Sequence, residues 1–218
     1  MTASSLIPTA EAAFIAGLTD RQMNRVVDEH LMPDLLFERQ GNIRRFTRLS
    51  AAFAKFYFDA DWLIPRARRR VLDELTDRVM QLQHMNLVLA LTALPEMSWK
   101  VANVTVEVDV EPYIAQVFAR VKELDLAGAL VTTGPDVMAG AAVFAGTRVP
   151  IDIVLGSMAA GIEMDRLVAS YPFLTDAHIQ AARIYEQVHP RRGRPRRLAD
   201  ALPAAARTVT RVVRPAAG

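Results

Sequence analysis

Thr9-Ala10-Glu11-Ala12-Ala13-Phe14-Ile15-Ala16-Gly17-Leu18-Thr19-Asp20-Arg21-Gln22-Met23-Asn24-Arg25-Val26-Val27-Asp28-Glu29 reads as two short helices joined by a tight turn. Thr9 is placed to cap a helix over Ala10 to Ala16, and Gly17 breaks it. Thr19 opens the second helix, with Gln22 three residues on as its capping-box partner. The apolar positions Met23, Val26 and Val27 recur at three and four residues and form one face. Arg21, Gln22, Asn24, Arg25 and Asp28 lie mostly on the other, and Pro33 ends the segment.

Reading outward, Leu35 to Phe37 and Ile43 to Phe46 are separated by Glu38 to Asn42. Gly41 and Asn42 tolerate positive φ, so this is a hairpin. Thr47 caps a further helix through Ala52, Ala54 and Phe56. Helix, turn, helix, hairpin, helix is the order of a winged helix-turn-helix, here over residues 1–62. Arginine reads guanine edges and Asn or Gln reads adenine, and such a fold presents the first turns of its second helix. Arg21, Gln22, Asn24 and Arg25 are therefore candidate base readers, and Arg39, Arg44 and Arg45 on the hairpin candidate phosphate contacts. The competing reading is an ordinary solvated helix face.

The middle, 63–134, reads as a linking and self-associating region. Pro65 starts a helix with Val71, Leu72, Leu75, Val79 and Leu82 on its apolar side and an arginine run, Arg66, Arg68, Arg69 and Arg70, at its start. Leu87 to Leu94 reads as a buried helical stretch ending before Pro95. Val101, Val104, Val106, Val108 and Val110 read as one half-buried strand that could pair across a dimer. Pro112 begins a helix with Ile114, Val117, Phe118, Val121 and Leu124 at helical spacing.

Residues 135–189 read as a small trihelical unit. Val137-Met138 and Val143-Phe144 flank a turn around Gly140. Helices follow over Pro150 to Ala160, Glu163 to Ser170, and from Thr175 to Val188. Gly146-Thr147-Arg148 has a phosphate-turn look, but its simpler role is to tie the hairpin to the helices. The predicted fold class is thus mainly α, a winged helix-turn-helix N-terminal domain plus a small trihelical C-terminal domain, with short β-hairpins.

The charge balance is uneven. From His189 onward there are eight arginines and one acid, Asp200, although the whole chain is only +2. A like-charged, Pro- and Ala-rich stretch without aromatics cannot offset its ordering cost, so 190–218 reads as a disordered partner-binding tail. Hydrophobic residues make up 51% of the 218, enough for a core, yet no run approaches the roughly 18 apolar residues of a membrane span. No basic region followed by an apolar block marks the N-terminus, so a cytoplasmic location without membrane partners is expected. The absence of cysteine excludes disulfides, thiolate metal sites and cysteine nucleophiles. His30, His84, His178 and His189 are scattered without ligand spacing, so neither a metal nor another cofactor is expected. The carboxylate pairs Asp59/Asp61 and Glu107/Asp109 have no catalytic partners, and no catalytic set assembles. An enzyme is not expected.

Two resemblances add to this reading. Thr9 to Ala13, Ala16-Gly17-Leu18-Thr19-Asp20-Arg21-Gln22 and Asp28-Glu29-His30-Leu31-Met32-Pro33, with Gly41, Arg44 and Arg45 in the wing, resemble the head of a MerR-type regulator. Met138-Ala139-Gly140, Val143-Phe144-Ala145-Gly146-Thr147-Arg148-Val149-Pro150, Ala159-Ala160-Gly161 and Tyr171-Pro172-Phe173-Leu174-Thr175 are similar to the family known as domain of unknown function 433. Members of that family resemble antitoxins of VapBC-type (VapB) operons, whose toxin is a PIN-domain ribonuclease.

The resemblance implies an antitoxin of a type II toxin–antitoxin system that inhibits a PIN-domain ribonuclease and represses its own operon by binding operator DNA. A homodimer within a larger complex is implied, since such heads usually read two half-sites. In the tail, Arg191, Arg192, Arg194, Arg196 and Arg197 are candidate toxin contacts. Arginines entering a metal-carboxylate nuclease site pair bidentately with the carboxylates. A non-specific nucleic-acid arm is the competing role for the tail. A stand-alone MerR-like regulator with an unknown effector, and a scaffold that no longer binds DNA, remain alternatives for the whole.

Overall fold

The computed structural model of the chain describes residues 6–94, 96–102, 106–134 and 140–190. It is mainly helical, with small antiparallel sheets. The first six elements are β1 (Ile7–Pro8), α1 (Thr9–Ala16), α2 (Asp20–Asp28), β2 (Phe37–Gln40), β3 (Ile43–Phe46) and α3 (Arg48–Asp59). β1, β3 and β2 form a three-stranded sheet in that order, with Phe46 opposite both Ile7 and Phe37.

Local chemistry accounts for most of these boundaries. Gly17 stands at φ +68, and the amides of Gly17 and Leu18 return to the carbonyls of Phe14 and Ala13, closing α1 in a Schellman turn. Thr19 and Gln22 form the reciprocal capping box at the start of α2. Thr47 accepts from the Ser50 amide and caps α3. Two expectations change. Thr9 is the first residue of α1 rather than its cap, because Pro8 supplies the extended backbone before it. Leu35 and Leu36 belong to a 3₁₀ turn over Asp34–Leu36, so the hairpin strand begins at Phe37. Leu36 is fully buried there, and its apolarity reports burial in a turn, not a strand.

α4 (Pro65–Met80) begins at its proline as expected. The apolar stretch after it contains only a short α5 (Met85–Leu89), and Leu87 and Leu94 are exposed. The inward residues are Val88, Leu89 and Leu91. The valine-rich stretch is not one strand. β4 (Lys100–Ala102) and β5 (Glu107–Asp109) pair with each other, Val101 opposite Val108. Val101 and Val108 are seven residues apart, an odd spacing that one alternating strand would send to opposite faces, so the break in phase between Val101 and Val104 is the sequence trace of the reversal. Val106 is exposed and Val104 lies outside the described residues.

α6 (Glu111–Leu130) is the central strut and packs against α1, α3 and α9 (Asp176–Val188). It runs into β6 (Val131–Thr132), which pairs with β7 (Val143–Phe144). The expected partner of β7, Val137-Met138, lies outside the described residues. α7 (Ile151–Ala159) and α8 (Met164–Ser170) precede α9, with Pro150 and Thr175 at the N-caps of α7 and α9.

A continuous hydrophobic core runs from Ile7 to Val188. At its centre α3 buries Phe53 and Phe56, which meet Trp99 and Tyr113 edge-to-face at 6.4 and 5.4 Å between ring centroids. Removing either phenylalanine ring would cost about 3–5 kcal/mol. Among the described residues no helix is long and apolar enough to cross a membrane.

Candidate nucleic-acid interface

α2 turns Met23, Val26 and Val27 into the core and leaves Arg21, Arg25 and Asp28 exposed, with Gln22 and Asn24 half-buried. The candidate base readers are not equivalent. Gln22 Oε1 accepts from the Thr19 amide at 3.0 Å and from the Thr19 hydroxyl at 2.8 Å, so this side chain is held in the cap. Arg25 donates to both oxygens of Glu29, at 2.7 and 3.0 Å, and its guanidinium lies 5.5 Å from the centre of the Phe58 ring. That bond holds the Glu29 carboxyl below the usual range. Arg21 and Asn24 make no hydrogen bond or ion pair among the described residues and are the groups on α2 available for readout.

The hairpin stands beside this helix because Asp28 gathers its arginines. Arg44 Nη2 donates to Asp28 Oδ1 at 2.7 Å, and Arg39 Nη1 lies 3.7 Å from the same oxygen. Arg39 Nε also reaches the Gly41 carbonyl at 3.4 Å. Arg44 is largely covered, and its Nε is buried without a partner among the described residues. It fastens the wing to α2 and is not itself poised for phosphate. Arg45, opposite Glu38 and Pro8 in the sheet, is exposed. The structure places Arg39 and Arg44 of the hairpin against Asp28 at the end of α2, leaves Arg45 on the other face of the sheet, and holds Gln22 in the helix cap.

Asp28 was not singled out as an anchor. Its signal in the sequence is an acid at the end of a helix whose other exposed residues are Asp20, Arg21 and Arg25. Within the arginine run, Arg68 turns inward: it donates to the carbonyls of Leu63 and Tyr57 at 2.8 and 2.9 Å and closes the end of α3. Arg66, Arg69 and Arg70 stay exposed. The tail candidates Arg191, Arg192, Arg194, Arg196 and Arg197 lie outside the described residues. Among the described residues no group of three His, Asp or Glu is placed to hold a metal ion.

The motifs of the C-terminal unit are structural. The Thr147 hydroxyl donates to the Phe144 carbonyl at 2.9 Å and accepts from the Val149 amide at 3.1 Å, and Gly146 sits at φ +73. The Phe144 amide returns to the Val149 carbonyl, so Gly146-Thr147-Arg148 closes a tight reversal that leads into α7. Gly161, at φ +85, ends α7. Phe173 packs on Phe144 at 5.6 Å between centroids, Leu174 is buried, and Thr175 caps α9. This stretch fixes the entry into α7 and the start of α9.

The family model described as Protein of unknown function (DUF433) matches residues 131–185, from the first residue of β6 into α9. Over 201 residues the chain is 31% identical to the uncharacterized protein y4eO of Sinorhizobium fredii (strain NBRC 101917 / NGR234), an alignment that covers 90% of this chain and 87% of the relative. No solved structure matches the chain.

Proposed function

Because the chain belongs to the family of the Sinorhizobium fredii protein y4eO and carries a DUF433 segment, we propose that it is a cytoplasmic antitoxin whose head binds DNA. The observation that carries the DNA-binding part is the pairing of α2 with the wing. A capped helix exposes Arg21 and Asn24 beside a hairpin whose Arg39 is exposed on the same side, and Asp28 clamps the two together. In this reading β1 to α3 is a winged helix-turn-helix of MerR type. α2 enters the major groove, and Arg45 and Arg39 contact phosphate.

The antitoxin part rests on the resemblance of the DUF433 segment to VapB-type proteins and on the arginine-rich sequence after Pro190. The partner is a PIN-domain ribonuclease, neutralised by Arg191, Arg192, Arg194, Arg196 and Arg197 against its metal-binding carboxylates. The protein acts by binding, as a homodimer on its own operator and as an inhibitor of the nuclease.

Two measurements test this. The full-length chain binds DNA from upstream of its own gene with an affinity that falls steeply with salt. Arg21→Ala loses discrimination between sequences, while Arg45→Ala weakens binding to all sequences alike. The full-length chain, and a version ending at His189, are then co-purified with the product of the neighbouring gene, which is assayed for metal-dependent RNA cleavage. Silencing by the full-length chain and not by the shorter one supports the antitoxin. Absence of any nuclease partner overturns it and leaves a stand-alone DNA-binding regulator, whereas absence of salt-dependent DNA binding overturns the head's role.

A further inference from the structure

Away from the α2–wing face, α1, α3, α6 and the end of α9 surround a cavity of about 210 Å³. Liquid water occupies about 30 Å³ per molecule, so the space accommodates a small organic molecule. Its floor includes the buried Leu124 and Val188. Its rim carries Glu11, Arg48, Asp125 and His189, one from each surrounding element. Arg48 is committed to Asp125 through both guanidinium nitrogens, with Nη1 to Oδ2 at 2.9 Å. The His189 ring stacks on Tyr185, 4.2 Å between centroids and 17° between planes, with Nδ1 3.2 Å from the Tyr185 carbonyl oxygen. Arg48 and Asp125 satisfy each other, and the charges of His189, Arg48 and Arg45 reach Glu11 without bonding to it. Glu11 is half-buried and makes no hydrogen bond or ion pair among the described residues.

We propose that this cavity binds a small organic monocation, an alkylamine or alkylguanidinium, whose head pairs with Glu11 while its carbon chain lies over Leu124 and Val188. A desolvated carboxylate is costly unless it is paired and hydrogen-bonded, and a charged N–H donor supplies both. Burial pushes the Glu11 carboxyl up, with Asp125 adding to it and His189, Arg48 and Arg45 pulling the other way. Because α1 packs directly on α2, occupancy would act on the head, but the site stands whether or not the head binds DNA.

The test is calorimetric titration of the full-length chain with n-butylamine and n-butylguanidinium, with n-butanol as the uncharged control, near pH ~7.5 where an ordinary carboxyl is ionised. Saturable binding of the cations and not of butanol is expected. Glu11→Gln, which keeps the shape, should weaken it about tenfold or more, the value of a hydrogen bond to a charged group. Asp165→Asn on distant α8 should leave it unchanged. Arg48→Gln moves affinity the other way, because it frees Asp125 and tightens binding of the same cations, a gain that a folding defect would not produce. No saturable binding of either cation, equal binding by Glu11→Gln, or loss of binding in Arg48→Gln overturns the proposal.

Discussion

Arg44 on the wing and Asp28 at the end of α2 are joined by a 2.7 Å hydrogen-bonded ion pair that spans sixteen residues of sequence and sets the angle between helix and hairpin. Arg44 is the more buried partner, and its Nε has no acceptor among the described residues, so Asp28 carries most of the burden of satisfying it. Arg44→Gln and Asp28→Asn should each lower unfolding stability by about 1–3 kcal/mol, the range for a hydrogen bond to a charged group. In a double-mutant cycle followed by urea unfolding, the two losses should fall short of additive. Additive losses would mean that the two side chains act independently.

The capping box offers a second measurement. Thr19→Ala removes an acceptor for the Gln22 amide and should destabilise by about 1 kcal/mol. Thr19→Ser should recover most of that. If the alanine variant melts like the parent protein, α2 is held by its packing on α1 and α3 and not by its cap.

His30 occupies the left-handed region, φ 47, where α2 ends in a Schellman turn: the Leu31 amide reaches the Val26 carbonyl at 3.0 Å. A side chain there costs about 1 kcal/mol relative to glycine. The His30 contact with Asp34 is exposed and worth little. His30→Gly should therefore raise the melting temperature, a gain without any new contact.

Glu11 fixes a pH dependence. Burial raises its carboxyl pKa in the folded protein, partly opposed by His189, Arg48 and Arg45 and reinforced by Asp125. A raised folded value means the native state favours the protonated form. Its contribution to stability is full below the unfolded value and is lost as pH rises through the folded value. Glu11→Gln should accordingly match the parent in acid and exceed it near neutrality. Parallel stability curves across that window would show that Glu11 is effectively solvated.

Much of this was legible because local chemistry dictated it. Thr19 with Gln22, Gly41 in its hairpin, Thr47, Pro65, Pro150 and Thr175 each act within a few residues, and each element they bound lies where the sequence places it to within a residue or so. The misreadings are of pairing and burial, which local chemistry does not encode. Val101 and Val108 face each other across a reversal, and β7 takes its partner from the strand that follows α6, twelve residues back. In the candidate interface the residue types were visible from sequence, but not their division of labour. Nothing in the order Arg39, Arg44, Arg45 says that the middle one turns back to Asp28. The Glu11 cavity is assembled from four segments spread over nearly the whole chain, so no local pattern pointed to it.

The contact of α1 with α9 has a consequence for how the protein is made. A ribosome delivers the first helix long before the last, so the part of α1 that meets α9 stays uncovered until late in synthesis. Each nascent chain must therefore keep an unfinished apolar surface from its neighbours until residue 188 has emerged. Translation pauses between α6 and α9, or a shortage of chaperones, should show up first as aggregated newborn chains.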